Sequence, residues 1–218
     1  MSMWIEFCFL CKGKTADLFA LSNSVMEQNG WTFNSVCNGE YSYYKDVSRQ
    51  KVVHFKEATK GEMSVCDAIG EISKHKLPTI FYQKDFGKNK SKAVVSVSEI
   101  KGSLFKEVEV SFENDVICVF GDEEKENNKA ILEKVFCALV KELSPLLAIS
   151  GTEINGIKPS RDQIKQTLEN RGDVTFFSDN CIKKFSISFD GVSPDDSIMI
   201  TDNDLHGVII KRKKLFEI

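Results

Sequence analysis

The chain has 218 residues, enough to bury a core in one large domain or two small ones. Hydrophobic residues at 42% and charged residues at 28% are ordinary globular values, which excludes global disorder. A formal net charge of −3 argues against attachment to nucleic acid through a basic surface, and no apolar run approaches the length of a membrane span.

In chain order, Met3 to Leu10 is bulky, aromatic and free of turn residues, and predicts a first strand rather than a signal peptide. A helix is expected over about 16 to 29, with Thr15 as its N-cap and Asp17 in the first turn. Leu18, Phe19, Leu21, Val25 and Met26 form its inward stripe, and Asn29-Gly30 stops it. The segments 31–37 and 40–44 flank Asn38-Gly39, a strong hairpin signal, and Lys51 to Lys56 reads as a third strand of the same meander. Ser64 with Asp67 caps a second helix carrying Val65, Ile69 and Ile72; Pro78 ends it before the strand Thr79–Tyr82.

Lys84 to Lys92 is polar and basic, and reads as a loop dividing an N-terminal half, 1–83, from a C-terminal half, 93–218, with a single continuous domain as the alternative. Beyond it, three alternating segments within 93–120 predict strands. Glu123 to Leu143 is a long helix that Asp122 can cap, its apolar face built from Ile131, Leu132, Val135, Phe136, Leu139 and Leu143. A strand follows Pro145, then a short helix capped by Ser160 with Gln163 and stopped by Gly172. The chain closes with strand-like segments at 174–178, 181–189, 197–201 and 206–213. Strands outnumber helices and come as neighbours, so the fold class is α+β, a largely antiparallel sheet packed by about four helices.

Two motifs near the N-terminus invite a chemical reading. Cys8 and Cys11 make a C-x-x-C, but residues three apart on a strand face opposite ways and no second ligand pair of that kind occurs. Gly13-Lys14-Thr15 resembles the end of a phosphate-binding loop, yet Cys8 stands where the first glycine belongs, and residues 9–12 read as strand. Seven cysteines, at 8, 11, 37, 66, 118, 137 and 181, are an odd number set mostly among apolar neighbours, and suggest free thiols in a reducing cytosol. Asp202 to Gly207 offers an incomplete calcium loop with Lys213 where the bidentate glutamate should be, so a turn is expected.

One charge pattern stands out. The stretch Asp173 to Asp204 holds seven aspartates against two lysines, a net charge of −5. Asp190, Asp195, Asp196, Asp202 and Asp204 fall in or beside expected loops, where they could share a rim that captures a basic protein partner. Tyr41 and Tyr43 share one face of their strand and are a second candidate contact patch.

In size, α+β character, scarcity of motifs and mild acidity the chain resembles the cytosolic immunity proteins of bacterial toxin systems. The closest local likeness is LVKELSPLLAISGTEIN, Leu139 to Asn155, a helix leaving through proline into a strand. The resemblance implies a protein that blocks a toxin, and carries no site residues across. The expectation is therefore a non-enzymatic cytoplasmic binding protein with a protein partner, and with no nucleic acid, membrane, cofactor, metal ligand or catalytic residue assigned. The alternatives are a hydrolase-like enzyme using His54 or His206 in a site assembled by the fold, and a structural or homo-oligomeric protein.

Overall fold

A computed structural model describes residues 4–33, 41–44, 52–54, 64–75, 77–86, 89–113, 122–152, 154, 156–169, 172–213 and 215. The first strand, β1 (Trp4–Lys12), is central in the sheet and turns its residues alternately to two apolar layers. Ile5, Phe7, Phe9 and Cys11 enter a large core, whereas Cys8 and Leu10 enter a smaller one on the other face. The opposed cysteines follow directly from the strand's period of two.

Helix α1 (Thr15–Gln28) packs on the first face. Its buried stripe is Leu18, Phe19, Ser22, Asn23, Val25 and Met26, and Leu21 lies exposed on the flank, contrary to the sequence expectation. Two polar residues take the inward places because both are satisfied there. The Ser22 hydroxyl donates to the Leu18 carbonyl at 2.8 Å, and Asn23 accepts from the Tyr82 hydroxyl at 3.0 Å. Thr15 is not the cap: Lys14 holds that position without a side-chain bond, and the Thr15 hydroxyl accepts from Lys106 Nζ at 2.9 Å. Gly30, at φ +78°, turns the chain out of the helix as expected. The Lys84 ammonium, 2.7 Å from the Asn29 carbonyl, ties that helix end to the sheet.

The strands β2 (Thr32–Phe33), β3 (Tyr41–Tyr44) and β4 (Val52–His54) come next. The turn of the expected hairpin, Asn38-Gly39, lies outside the described residues, and among the described residues β2 and β3 do not pair with each other. Both run antiparallel to β5 (Pro78–Phe86), β2 against Tyr82–Gln83 and β3 against Pro78–Ile80, so they lie end to end along one edge. Residues 34–40, Asn38 and Gly39 among them, are outside the described residues. β3 does pair with β4. Between them in sequence and β5, α2 (Val65–Ile72) begins at Ser64, whose hydroxyl accepts from the Asp67 amide as the capping signal predicts.

β6 (Asn89–Glu99) pairs with β5 from Thr79↔Ser96 to Phe86↔Asn89. The segment Lys84–Lys92, expected as a loop, is therefore mostly two paired strands of a hairpin. Lys84 and Asp85 are paired with Ser91 and Lys90, and Lys90 and Lys92 alternate with buried Ser91, so these charges belong to a hairpin between interior strands rather than to a linker. β7 (Phe105–Glu113) lies between β6 and β1. The strand expected within 115–120 is outside the described residues.

Helix α3 (Asp122–Leu143) buries Leu132, Val135, Phe136, Leu139, Val140 and Leu143 over β1, close to the expected face. β8 (Leu147–Thr152), α4 (Arg161–Glu169) and β9 (Val174–Ser178) follow, with the Ser160 hydroxyl accepting from the Gln163 amide. The next segment, expected as a strand, is instead the helix α5 (Asp179–Phe185). Ser178 caps it by accepting from the Cys181 amide, Asp179 sits in its first turn and Lys183 and Lys184 in its last, so end chemistry overrides the apparent alternation of 181–189. Finally β10 (Ser197–Asp202) and β11 (Gly207–Arg212) form a hairpin.

The fold is α+β. Among the described residues one eleven-stranded sheet runs β10-β11-β9-β8-β1-β7-β6-β5-β3-β4, with β2 beside β5, and every ladder described is antiparallel. Strands from both sequence halves join it. Helices α1, α2 and α3 cover one face and α4 and α5 part of the other. No helix among the described residues is long and apolar enough to cross a membrane.

Candidate binding surface

The N-terminal motifs resolve into packing. Cys8 and Cys11 are buried on opposite faces, and burial pushes both thiols well above their ordinary range, with Glu107 and Glu109 adding to the effect at Cys8. A nucleophilic or ligating thiol needs the reverse shift. Phe9 to Lys12 are extended and paired with β7, with Phe9 and Leu10 also paired to β8, rather than wrapped into a phosphate cradle. Among the described residues there is no cluster of three or more histidine, cysteine or acidic side chains placed to hold a metal ion.

The thiols give a direct check. In the native protein at pH 8, iodoacetamide is expected to label exposed Cys66 quickly, and Cys8, Cys11 and Cys181 only as the chain unfolds, read by peptide mass spectrometry. Burial also raises Cys137 to about 11 and Cys181 to about 12 against the ordinary 9.0. Below pH 9 both folded and unfolded chains hold these protons and stability is full. As pH rises through the two folded values the unfolded chain has already released them, so stability falls in that window.

Of the histidines, His206 is an exposed residue at φ +52° in the turn between β10 and β11, and the His54 side chain is outside the described residues. His75 lines a cleft of about 630 Å³ with Lys74, Glu99, Leu104 and Lys106. There the Lys106 ammonium is engaged by Glu99 at 3.0 Å and by Thr15. The Asp202–Gly207 segment is the expected turn: Asp202 pairs with Gly207, and its carboxylate accepts from the amides of Asp204 and Leu205, both at 3.0 Å.

The aspartates are placed unevenly. Asp195 and Asp196 precede β10, whereas Asp202 is its last residue and Asp204 lies in the turn beyond, so six extended residues put the two pairs roughly 20 Å apart. Asp190 lies in the loop before β10 and accepts from the Ser188 hydroxyl at 2.6 Å. Tyr41 and Tyr43 belong to β3, at the far end of the sheet, and their side chains are outside the described residues. The structure thus gathers Asp195, Asp196, Asp202 and Asp204 along one strand and leaves the tyrosines apart.

What lies between those aspartates escaped the sequence reading. β10 ends the sheet, and Ile198, Met199 and Ile200 are 46%, 52% and 45% exposed. Residues opposite one another in an antiparallel pair share a face. Ile198 and Ile200 therefore continue the face of Lys211 and Ile209, where Lys211 meets Glu133 of α3 at 2.6 Å, and Met199 continues the face of Ile210. Both apolar layers run out to this edge. The signal in the sequence is the bracket itself, two aspartates, an apolar triplet, then two more aspartates.

No family model matches the chain. No curated protein matches it either. Among solved structures it is similar to "Pseudomonas aeruginosa T6SS protein PA0821", at TM-score 0.47 and 10% identity over 96% of this chain. The chain spans 65% of that protein's length. A likeness of that degree leaves function to be read from the chain's own surface.

Proposed function

We propose that this chain is a non-enzymatic binding protein whose partner is another protein, and that it acts as an immunity-type inhibitor of a protein toxin. The observation that supports the reading is the β10 edge: an apolar triplet left in water at the end of the sheet, bracketed by acidic turns. Contiguous exposed apolar surface with a polar rim is the composition of an interface, and an acidic rim steers a basic partner on. The buried, protonated thiols supply no activated nucleophile.

The test is capture with tagged protein from source cells, followed by affinity measurement on the purified pair. Replacing Asp195, Asp196, Asp202 and Asp204 together by lysine is expected to weaken binding by about tenfold or more at low salt, with the difference shrinking as salt rises. Unchanged affinity in a variant that melts like the wild type overturns this reading.

A further inference from the structure

We propose that the partner contributes an extended segment that pairs, antiparallel, with the outer edge of β10 and carries lysine or arginine where it passes Asp202 and Asp204. The inference rests on the binding role just proposed and adds its mode. Among the described residues no strand pairs with β10 on that side.

The backbone sets which groups are offered. The Lys213 amide donates to the Asp196 carbonyl at 3.0 Å, so Asp196 directs its backbone groups toward β11. Backbone groups alternate along a strand, so Ile198, Ile200 and Asp202 do likewise, and Ser197, Met199 and Thr201 direct theirs outward. The Ser197 amide is already taken by the Ser193 carbonyl at 3.1 Å, which agrees with that direction. Met199 and Thr201 thus present amide and carbonyl to an incoming strand, and Ile198, Met199 and Ile200 would be covered on both faces by its side chains.

Charge selects the occupant. At the far end, the Asp179 amide meets the His206 carbonyl at 2.8 Å, which brings the start of α5 to the turn that holds Asp204, and neither β10 nor that turn carries a lysine or arginine. At the near end the register sets Arg212 and Lys213 of this chain across from Ser197 and Asp196, so basic residues already stand at that end of β10. A basic residue on the partner is therefore called for at the Asp202 end.

The same pattern disfavours a second copy. Because outward groups must meet outward groups, antiparallel self-pairing centred on the apolar triplet has three registers, and the one centred on Ile198 needs the Ser197 amide, which the Ser193 carbonyl already holds; those centred on Met199 and on Ile200 are left. The first of these two sets Asp196 opposite Asp202 of the other copy, and the second sets Asp196 opposite Asp204. Like charges directly opposed destabilise a ladder, a common guard on edges left open for another partner.

The probe is a synthetic peptide of six alternating valine and threonine residues ended by two lysines, with a glutamate-ended peptide as control. Amide hydrogen exchange is read residue by residue on the full chain. The lysine-ended peptide is expected to slow exchange at Met199 and Thr201 by about tenfold at saturation, with little change at Ile198 and Ile200, already bonded to β11. It should bind about tenfold tighter than the control at low salt. Met199→Pro removes an outward donor without breaking the β11 ladder, and should abolish both effects while the thermal melt stays within a few degrees. Equal binding of the two peptides, protection absent from Met199 and Thr201, or full binding by a folded Met199→Pro variant overturns the inference. Concentration-dependent protection of those two amides without peptide also overturns it, in favour of self-pairing. If the captured partner binds Met199→Pro normally but loses the four-aspartate variant, the edge-pairing mode fails and the acidic binding surface stands. If it binds both normally, the binding surface itself is wrong.

Discussion

Phe136→Ala is expected to lower the stability of the fold by about 3–5 kcal/mol. Phe136 is fully buried on α3 and joins that helix to the central strand, with ring centroids 5.4 Å from Phe7 and 5.5 Å from Phe9. Phe7 in turn lies 5.0 Å from Phe112, which meets Trp31 at 5.1 Å. The aromatic chain thus links α3, β1, β7 and the exit of α1. Deleting one ring removes its apolar burial and opens a cavity that a sheet of paired strands cannot collapse to fill. Urea denaturation should show a lower midpoint at unchanged slope, and Phe136→Leu should lose less than half as much. A loss below about 1 kcal/mol for the alanine variant would contradict the placement of α3 on β1.

Gly172→Val is expected to cost about 3 kcal/mol or more, through crowding rather than loss of contact. A β-carbon at Gly172 would strike the Ser150 carbonyl and the Ile149 side chain. A carbonyl in a ladder cannot rotate aside, because Ser150 also accepts from the Asp173 amide at 2.7 Å and its hydroxyl accepts from the Val174 amide at 2.9 Å. The glycine that the sequence marks as a helix stop is thus also the place where the chain passes closest to β8 on entering β9. Gly191→Ala is the control: nothing lies within 4 Å of its β-carbon, and the change should stay within about 0.5 kcal/mol. Comparable losses for the two variants would show that the β8–β9 approach is not as described.

Features fixed by short-range chemistry were legible in the sequence. Cys8 and Cys11 follow from the pleat, the starts of α2 and α4 from Ser64 and Ser160, and the face of α3 from its periodicity. The errors have physical causes of the same kind. Residues 181–189 alternate enough to suggest a strand, but Ser178, Asp179 and the paired lysines supply a helix with both ends. Leu21 reads as core because it is apolar, whereas Ser22 and Asn23 win the inward positions by finding hydrogen-bond partners. Lys84–Lys92 reads as a loop because charges on a paired hairpin look like charges in a linker.

The candidate surface was legible in half. Asp195, Asp196, Asp202 and Asp204 stood out by composition, but nothing local says that they flank the last strand of a sheet. Ser197–Asp202 would read the same in the middle of the sheet as at its end, since strand order depends on pairings among distant residues. Ile198, Met199 and Ile200 therefore passed as ordinary strand residues until the order placed them in solvent.

A binding protein of the kind proposed works by occupying its partner and not by altering it. The most direct measurement is a titration of the captured partner's own activity with increasing amounts of this chain, followed over time. A linear fall to an end point at about one chain per partner is expected, complete on mixing and reversed when the two are separated. Progressive loss at a small fraction of an equivalent, persisting after separation, would mean that the chain turns over its partner as a substrate, and would overturn the proposed binding role.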